Sequence, residues 1–464
     1  MCDRTFRPYD PEQPFLLPPT LQEWLPADHL AYFISDLVES LDLTAILSWY
    51  DKPTRGTVPY HPQMLVKVLR YAYCIGTPSS RQIARKLEED IAFRVLAANN
   101  TPDFRTMAEF RKRHLAALTG IFVQVLQLCR RAGLVTLGHV AVDGTKIKAN
   151  ASKHKAMSYE RMQEEETRVQ AEVAALLAGA AAADAREDET YGAECRGDEL
   201  PRELAFRASR LEKIRAAKAA LEQEARDAAT AKAEERECAS PKSSPTAPAA
   251  LPGPKPKAQK NFTDPESRIM PSSSDKGSCV QGDNCQAAVD ATAQIIVAAD
   301  VTQETNDKRQ AQPLLTQVVA NTKQVPKTVS LDTGYFSEDN VQALEELGTE
   351  TLIPPDRQTH RRQAQPPVSR GRIPKGLSVA DRMRRKLRTK RGRARYAKRK
   401  VIVEPVFGQI KQGRGFRQFL LRGLQKVQGE WALICTTHNV RKLWAALVKS
   451  DRSLADFGKG GATG

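Results

Sequence analysis

Long apolar runs, paired cysteines and a leader-like start are all missing from this chain of 464 residues. No apolar stretch reaches the roughly 18–20 residues that a membrane helix needs. The longest, Val173 to Ala183, is Ala-rich and too short. Met1-Cys2-Asp3-Arg4 opens onto no apolar core of the signal-peptide kind. The eight cysteines form no C-x-x-C pair and are too sparse for a disulfide scaffold. Cys279 and Cys285 have no second Cys or His pair nearby, which argues against zinc. A membrane or secreted protein is not expected; a soluble, basic, cytoplasmic one is. At roughly 100–200 residues per domain the length allows two to four domains. A hydrophobic content of 41% supports at least one core beside some solvated sequence.

What is abundant is positive charge, and it is concentrated. The net charge is +16, from 71 Lys and Arg against 55 Asp and Glu. Between Arg357 and Lys400 stand 18 Lys and Arg and one acid, Asp381, so the rest of the chain is close to neutral. Each phosphate that a cation neutralises releases counterions, so such a block predicts nucleic-acid binding with a steep salt dependence. A solvated tail would have the same composition. This block, however, is internal and runs directly into a patterned segment, Tyr396 to Arg422.

Residues 1–130 read as an all-α N-terminal domain. Leu30, Phe33, Ile34, Leu37, Val38 and Leu41 repeat at the spacing of one buried helix face. A second helix is expected over His61–Ile75, stopping at Gly76. A third spans Gln82–Glu88, capped by Ser79 or Ser80, and a fourth runs from Met107 to Leu118, capped by Thr106. Short basic helices joined by a Gly-containing turn suit either a helix-turn-helix-like DNA-binding unit or a plain packing domain. From His139 the period becomes that of a strand, Val140 to Val142, ending at the turn dipeptide Asp143-Gly144. Residues 157–239 read as a helical, coiled-coil-like insertion. Leu204, Leu211, Ile214, Leu221, Ala225 and Ala228 form an approximate heptad that Lys218 breaks, and the pattern weakens around Asp184–Gly197. Residues 240–260 read as a flexible linker. Beyond it strands and helices alternate: Val280 with Cys285–Val289, Gln294–Val301, a helix over Lys308–Asn321, Thr328–Leu331, a helix over Glu338–Leu347, and Glu350–Ile353. Helices at Tyr396–Gln412 and Glu430–Lys449 close the chain. The expected fold is α/β, with 136–156 and 261–450 forming one sheet-based domain and 357–395 its basic segment.

Three acids stand out by position. Asp143 and Asp332 are expected at the ends of buried strands, where open α/β sheets leave groups exposed over the sheet edge. Glu404 lies on a basic helix. Singly, each has an ordinary explanation as a turn, a cap or a local counter-charge. Together they suit magnesium, which takes oxygen ligands and is usually held by a few carboxylates plus substrate phosphate. Two such ions about 4 Å apart activate an attacking hydroxyl and stabilise the leaving oxygen of a phosphodiester. On a straight helix Lys411 falls within about 20° of Glu404, and Lys400 within about 40°. Pro405 interrupts that helix by removing a backbone donor.

At this point the chain resembles the DDE transposases of bacterial insertion sequences, a ribonuclease H-like group whose third acid lies in a Tyr-Arg-Glu-Lys pattern. The likeness rests on Ala141-Val142-Asp143-Gly144-Thr145-Lys146, on Asn261 to Pro265 with Gln281-Gly282 and Gln286 to Asp290, and on Asp332-Thr-Gly-Tyr335-Phe336. It ends with Glu404-Pro-Val-Phe407-Gly-Gln-Ile-Lys411 and extends to Tyr60-His61-Pro62 and the Arg105–Arg113 region. The resemblance implies a ribonuclease H-like mixed sheet with flanking helices, with Asp143, Asp332 and Glu404 as ligands of two Mg²⁺ ions, replaceable by Mn²⁺. It also implies DNA contacts from Tyr396, Arg399 and Lys411, and the neighbouring cations Lys400, Arg414 and Arg417 are expected to contact DNA with them. The family usually places three residues between the Arg and the Glu, whereas four separate Arg399 from Glu404. Either Lys400 takes the Arg role, which straight-helix geometry favours, or an irregularity before Pro405 restores Arg399. The implied activity is cleavage at terminal inverted repeats and strand transfer into target DNA. A homodimer would carry it out on DNA, cytoplasmic and nucleoid-associated. A metal-dependent nuclease without strand transfer and a catalytically silent DNA-binding descendant are the rivals. His438 reads as a packing residue or a DNA contact, Trp431 and Trp444 as core, and Asp264 and Asp290 as turn or supporting acids.

Overall fold

The computed structural model describes residues 20–51, 58–191, 202–239, 253–271, 278–356, 371, 374 and 376–457. Most of the expected linker, the Gly192–Gly197 part of the weak stretch in the insertion and the first half of the basic block lie outside these residues.

The central sheet is mixed. Strand β1 (Val140–Lys148) follows the N-terminal helices; β2 (Ala156–Ser158) and β3 (Gln259–Asn261) flank the insertion. After them come β4 (Arg268–Pro271), β5 (Cys279–Asp290), β6 (Ile296–Thr302), β7 (Thr328–Ser330) and β8 (Glu350–Leu352). β1 pairs antiparallel with β5 on one side and parallel with β7 on the other, and β8 extends the parallel half. The far edge of β5 takes β6 along Asn284–Val289 and β4 along Cys279–Gly282. Three antiparallel strands followed by two parallel ones, with helices on the faces, is the ribonuclease H-like arrangement.

β1 runs unbroken through Asp143 and Gly144, which corrects the expected strand end and turn there. Gly144 lies opposite Gln286 in the ladder. A Cβ on Gly144 would come within 2.6 Å of Gln286 Nε2. The glycine is there for close approach of a side chain across the ladder, not for a bend.

The N-terminal helices form by amphipathic spacing. Leu30–Ser40 buries Leu30, Ala31, Ile34, Leu37 and Val38, and the His29 side chain caps it by accepting from Ala31 N–H. Pro62 opens the helix Pro62–Cys74 at a position where no backbone donor is needed. Gly76, past its end, has φ +79° and lies against the Arg414 backbone. The expected Thr106 cap is instead Asp103, whose carboxylate accepts from the Arg105 and Thr106 N–H groups at 2.6 and 3.0 Å. That helix ends at Arg113, and a separate one runs over Leu115–Arg131. One apolar core is continuous from these helices through the sheet to the closing helix Leu424–Ser450. Trp431 is fully buried there and donates to Gln286 O at 3.0 Å, while Trp444 is half-buried at the edge.

The insertion is a helical hairpin, Tyr159–Tyr191 and Arg202–Ala239, standing on the β2–β3 ribbon. Its small apolar cluster, Met162, Ile214 and Leu221, lies near the base. Beside the cluster Glu166 pairs with Arg215 and Lys218, and higher up the helices are joined by Glu165–Arg210 and Glu172–Arg207. Lys218 therefore sits at the rim of the seam, opposite a carboxylate, and does not break its core.

Candidate active site

Register places the first two acids. Ala141 lies opposite Ser330 in the parallel β1–β7 pair. Asp143 and Asp332 are each two residues further on, so they stand at one level just past the end of β7, with Asp143 still within β1. β7 stops there, and Asp332 caps the short turn Thr333–Tyr335 by accepting from Gly334 N–H at 2.9 Å. Asp143 remains in β1 and is held by Arg399, Nη1 to Oδ2 at 2.9 Å. Burial pushes the Asp143 carboxyl up to about 6; Arg399 pulls it down and Asp332 raises it further. Asp332 is raised too, chiefly by burial, against the pull of Arg399. The two acids thus repel each other in a partly dry site with one guanidinium between them.

Arg399 comes from the basic helix Lys390–Gly408, with Tyr396 one turn before it. Its Nε is buried and has no hydrogen-bond partner. Burial, countered by Arg399, raises the Tyr396 phenol, which lies beside the same acids. Lys400, favoured by straight-helix geometry for the Arg role, is exposed. It is Arg399 that faces the acids.

Glu404 lies on the exposed face of the same helix, five residues and so about 140° beyond Arg399. Among the described residues no three His, Cys, Asp or Glu side chains stand together as a metal cage. The expected alignment of Lys411 with Glu404 also fails. The helix widens into a π turn over Gln409–Gly413, which breaks the 100° count. Lys411 Nζ instead donates to Lys146 O at 2.8 Å, tying the turn to β1. Arg414 is buried, bonded to Thr437 Oγ1 and Ile434 O at 2.8 and 3.2 Å, so its charge faces the interior and not solvent-borne DNA. Arg417 is exposed and leans on Lys411 O.

The sequence reading passed over Asp307. Its Oδ1 accepts from Asn284 Nδ2 at 2.6 Å and Gln286 Nε2 at 2.7 Å, with Lys146 Nζ at 3.7 Å. Gln286 in turn accepts from the Tyr335 hydroxyl, and Tyr335 closes the turn that carries Asp332. A Cβ on Gly144 would meet this whole cradle, 3.1 Å from Asp307 Oδ1 and 3.2 Å from Asn284 Oδ1. Asp307 therefore lies between Gly144 of β1 and Gly334 of the Asp332 turn, held there by two amides of β5. It lies in the loop after β6, several residues beyond the strand end at Thr302, so the strand-end logic that picked out Asp332 does not single it out.

The remaining candidates are structural. Asp290 accepts from Leu137 and Thr292 N–H at 2.8 and 2.9 Å, and Asp264 from Gly423 N–H at 3.3 Å. His438 is buried and donates to Gln294 O at 3.0 Å, its pKa driven down to about 3 by burial first and Arg414 second. In the unfolded chain a His titrates near 6.5. Between those values the unfolded state holds the extra proton, so the His438 contribution is complete above about pH 6.5 and shrinks as pH falls. The loss is up to about 1.4 kcal/mol per pH unit. Asp283, raised to about 7 by burial, works in the opposite sense, losing stability as pH rises towards that value. Thermal denaturation at pH 7 and 5 should therefore show a smaller acid-induced drop in Tm for His438→Asn than for wild type. An equal drop in both would mean that His438 carries no such linkage.

Against known families, residues 251–440 match the Transposase DDE domain and residues 19–113 match a Transposase domain (DUF772). No curated protein and no solved structure matches the chain. The first match takes in Asp307, Asp332, Arg399 and Glu404 but begins after β1 and Asp143. Two transposase domains in this order, over a ribonuclease H-like sheet with acids at one level on neighbouring strands, make the chain a DDE-type transposase of the insertion-sequence type.

Proposed function

We propose that this transposase cuts DNA at the terminal inverted repeats of its element and joins the freed ends to target DNA, with the chemistry at Asp143 and Asp332. The observation that carries the reading is the pair of facing carboxylates with the unpartnered Arg399 Nε beside them. A buried donor without a partner is costly, and a phosphate oxygen would satisfy it. Asp143 and Asp332 are hard oxygen donors whose mutual repulsion a divalent cation would relieve, so the residues fit one. Such an ion supplies charge stabilisation to the attacking and leaving oxygens when bound. Two ions, magnesium or manganese, would need a third carboxylate, and Glu404 is the one on the DNA-facing basic helix. Arg399 holds Asp143 in place and presents its remaining donors to the phosphate, and Tyr396 packs beside it.

In the first step a water oxygen bonds to phosphorus and the 3′-oxygen leaves with a proton. In the second that 3′-hydroxyl attacks a target phosphodiester and displaces a target 3′-oxygen. One P–O bond forms and one breaks in each step, so neither needs an energy donor. Two ends must meet, which calls for a dimer on DNA.

The test is incubation of purified protein with DNA bearing the element's own ends, with Mg²⁺ or Mn²⁺, and mapping of breaks and joints. Breaks with a 3′-hydroxyl at the boundary together with joined products support the reading. Breaks without joints indicate a nuclease only; binding with neither indicates a silent descendant.

A further inference from the structure

Beside the acids lies a groove of about 660 Å³, walled on one side by Gln303 to Arg309 and on the other by the β3–β4 segment at the foot of the hairpin. The wall is fixed to the site. Lys146 Nζ donates to Thr305 O at 3.4 Å, and Asn284 Nδ2 to Glu304 O at 3.0 Å. Neighbouring side chains on it face opposite ways. Asp307 turns in to the Gln286 cradle and towards the Asp332 turn, where a Cβ on Gly334 would lie 3.5 Å from Asp307 Oδ2 and 3.1 Å from Asp332 Oδ1, while Asn306 and Lys308 line the groove. The groove thus begins on the far side of Asp307 from the turn that carries Asp332.

Its charge is one-sided, with Lys257, Arg268, Lys308 and Arg309 against Glu304. Arg268 is held by Glu224 at 2.9 Å, and Arg309 lies 3.9 Å from Glu304. Lys257 and Lys308 are exposed and make no ion pair with a described residue. Two free ammonium groups on opposite walls of one open groove suit a chain of phosphates better than a compact anion. From this geometry we infer that the groove carries the DNA backbone adjoining the scissile phosphate, gripping it by charge without reading bases. The inference rests on the function proposed above.

The test measures binding of full-length protein to an end-bearing duplex across a salt series. Neutralising both cations, Lys257→Gln with Lys308→Gln, should weaken binding and flatten the slope of log affinity against log salt by roughly two, at about 0.9 per phosphate contact. A control pair with the same charge change, Lys213→Gln with Lys449→Gln, should leave the slope within about half a unit. Glu304→Gln, which removes the acid from the wall, should tighten binding. Substrates truncated on the element side or the flanking side then show which DNA occupies the groove, because the lysine effect disappears with the arm that lies there. An unchanged slope, an effect no larger than the control, or an effect that survives both truncations overturns the inference. Wild type that binds but never cuts overturns the proposed chemistry instead, and the salt slope still decides the groove.

Discussion

Asp332→Asn is expected to lower cleavage at element ends by about a thousandfold or more while leaving DNA affinity within a few-fold of wild type. Charge stabilisation at a site of this kind is worth several kcal/mol, and each 1.36 kcal/mol is tenfold in rate. The substitution is a clean one because Asp332 has a local structural duty that Asn can also perform. Its Oδ1 accepts from Gly334 N–H at 2.9 Å, and an amide oxygen caps a turn equally well. Asp143→Asn should be as severe on cleavage but harder to interpret, since it also weakens the pair with the half-buried Arg399. The measurement is single-turnover cleavage of a labelled end, with Tm recorded in parallel. Full cleavage by Asp332→Asn would place the chemistry on other acids. A loss of affinity as large as the loss of rate would make Asp332 a structural residue.

The parts of this site that depend on sequence-local rules were legible, and those set by tertiary partners were not. Alternating apolar residues showed β1, β5 and the Asp332 strand, and amphipathic spacing showed the helix around Arg399. Gly144 was misread because Asp-Gly has the same local chemistry whether it turns or stays extended. Only the Gln286 amide opposite shows why a side chain is excluded there. β2, β3 and β4 are three or four residues each and carry no period of their own; β2 and β3 pair with each other across the whole insertion, and β4 pairs with the edge of β5. Arg414 looked like part of a DNA-binding run because charge is visible in sequence and burial is not. Its partners, Thr437 and Ile434, come from the closing helix. Lys411 was misplaced by the π turn, which no composition rule announced.

Arg399→Gln and Lys400→Gln should separate by about a hundredfold or more in cleavage rate, although the two residues are adjacent and bear the same charge. Arg399 is bonded to Asp143 and keeps an unpartnered donor inside the site, whereas Lys400 points to solvent. Loss of one preorganised donor to a reacting centre costs about 10²–10³ in rate, while an exposed cation contributes to binding and its salt slope by about one contact. Arg399→Lys should recover little, because an ammonium cannot both hold the Asp143 carboxylate and present a second fixed donor. Equal losses from Arg399→Gln and Lys400→Gln would mean that the basic helix turns when DNA binds. A turn of that kind would bring round the face that carries Glu404, which lies about 40° from Lys400 on the same helix. Glu404→Gln read in the same assay closes the comparison. If it is as damaging as Asp332→Asn while Lys400→Gln is silent, the Glu404 carboxylate reaches the acids from its own face without rotation of the helix. If it is silent too, Asp143 and Asp332 act without it.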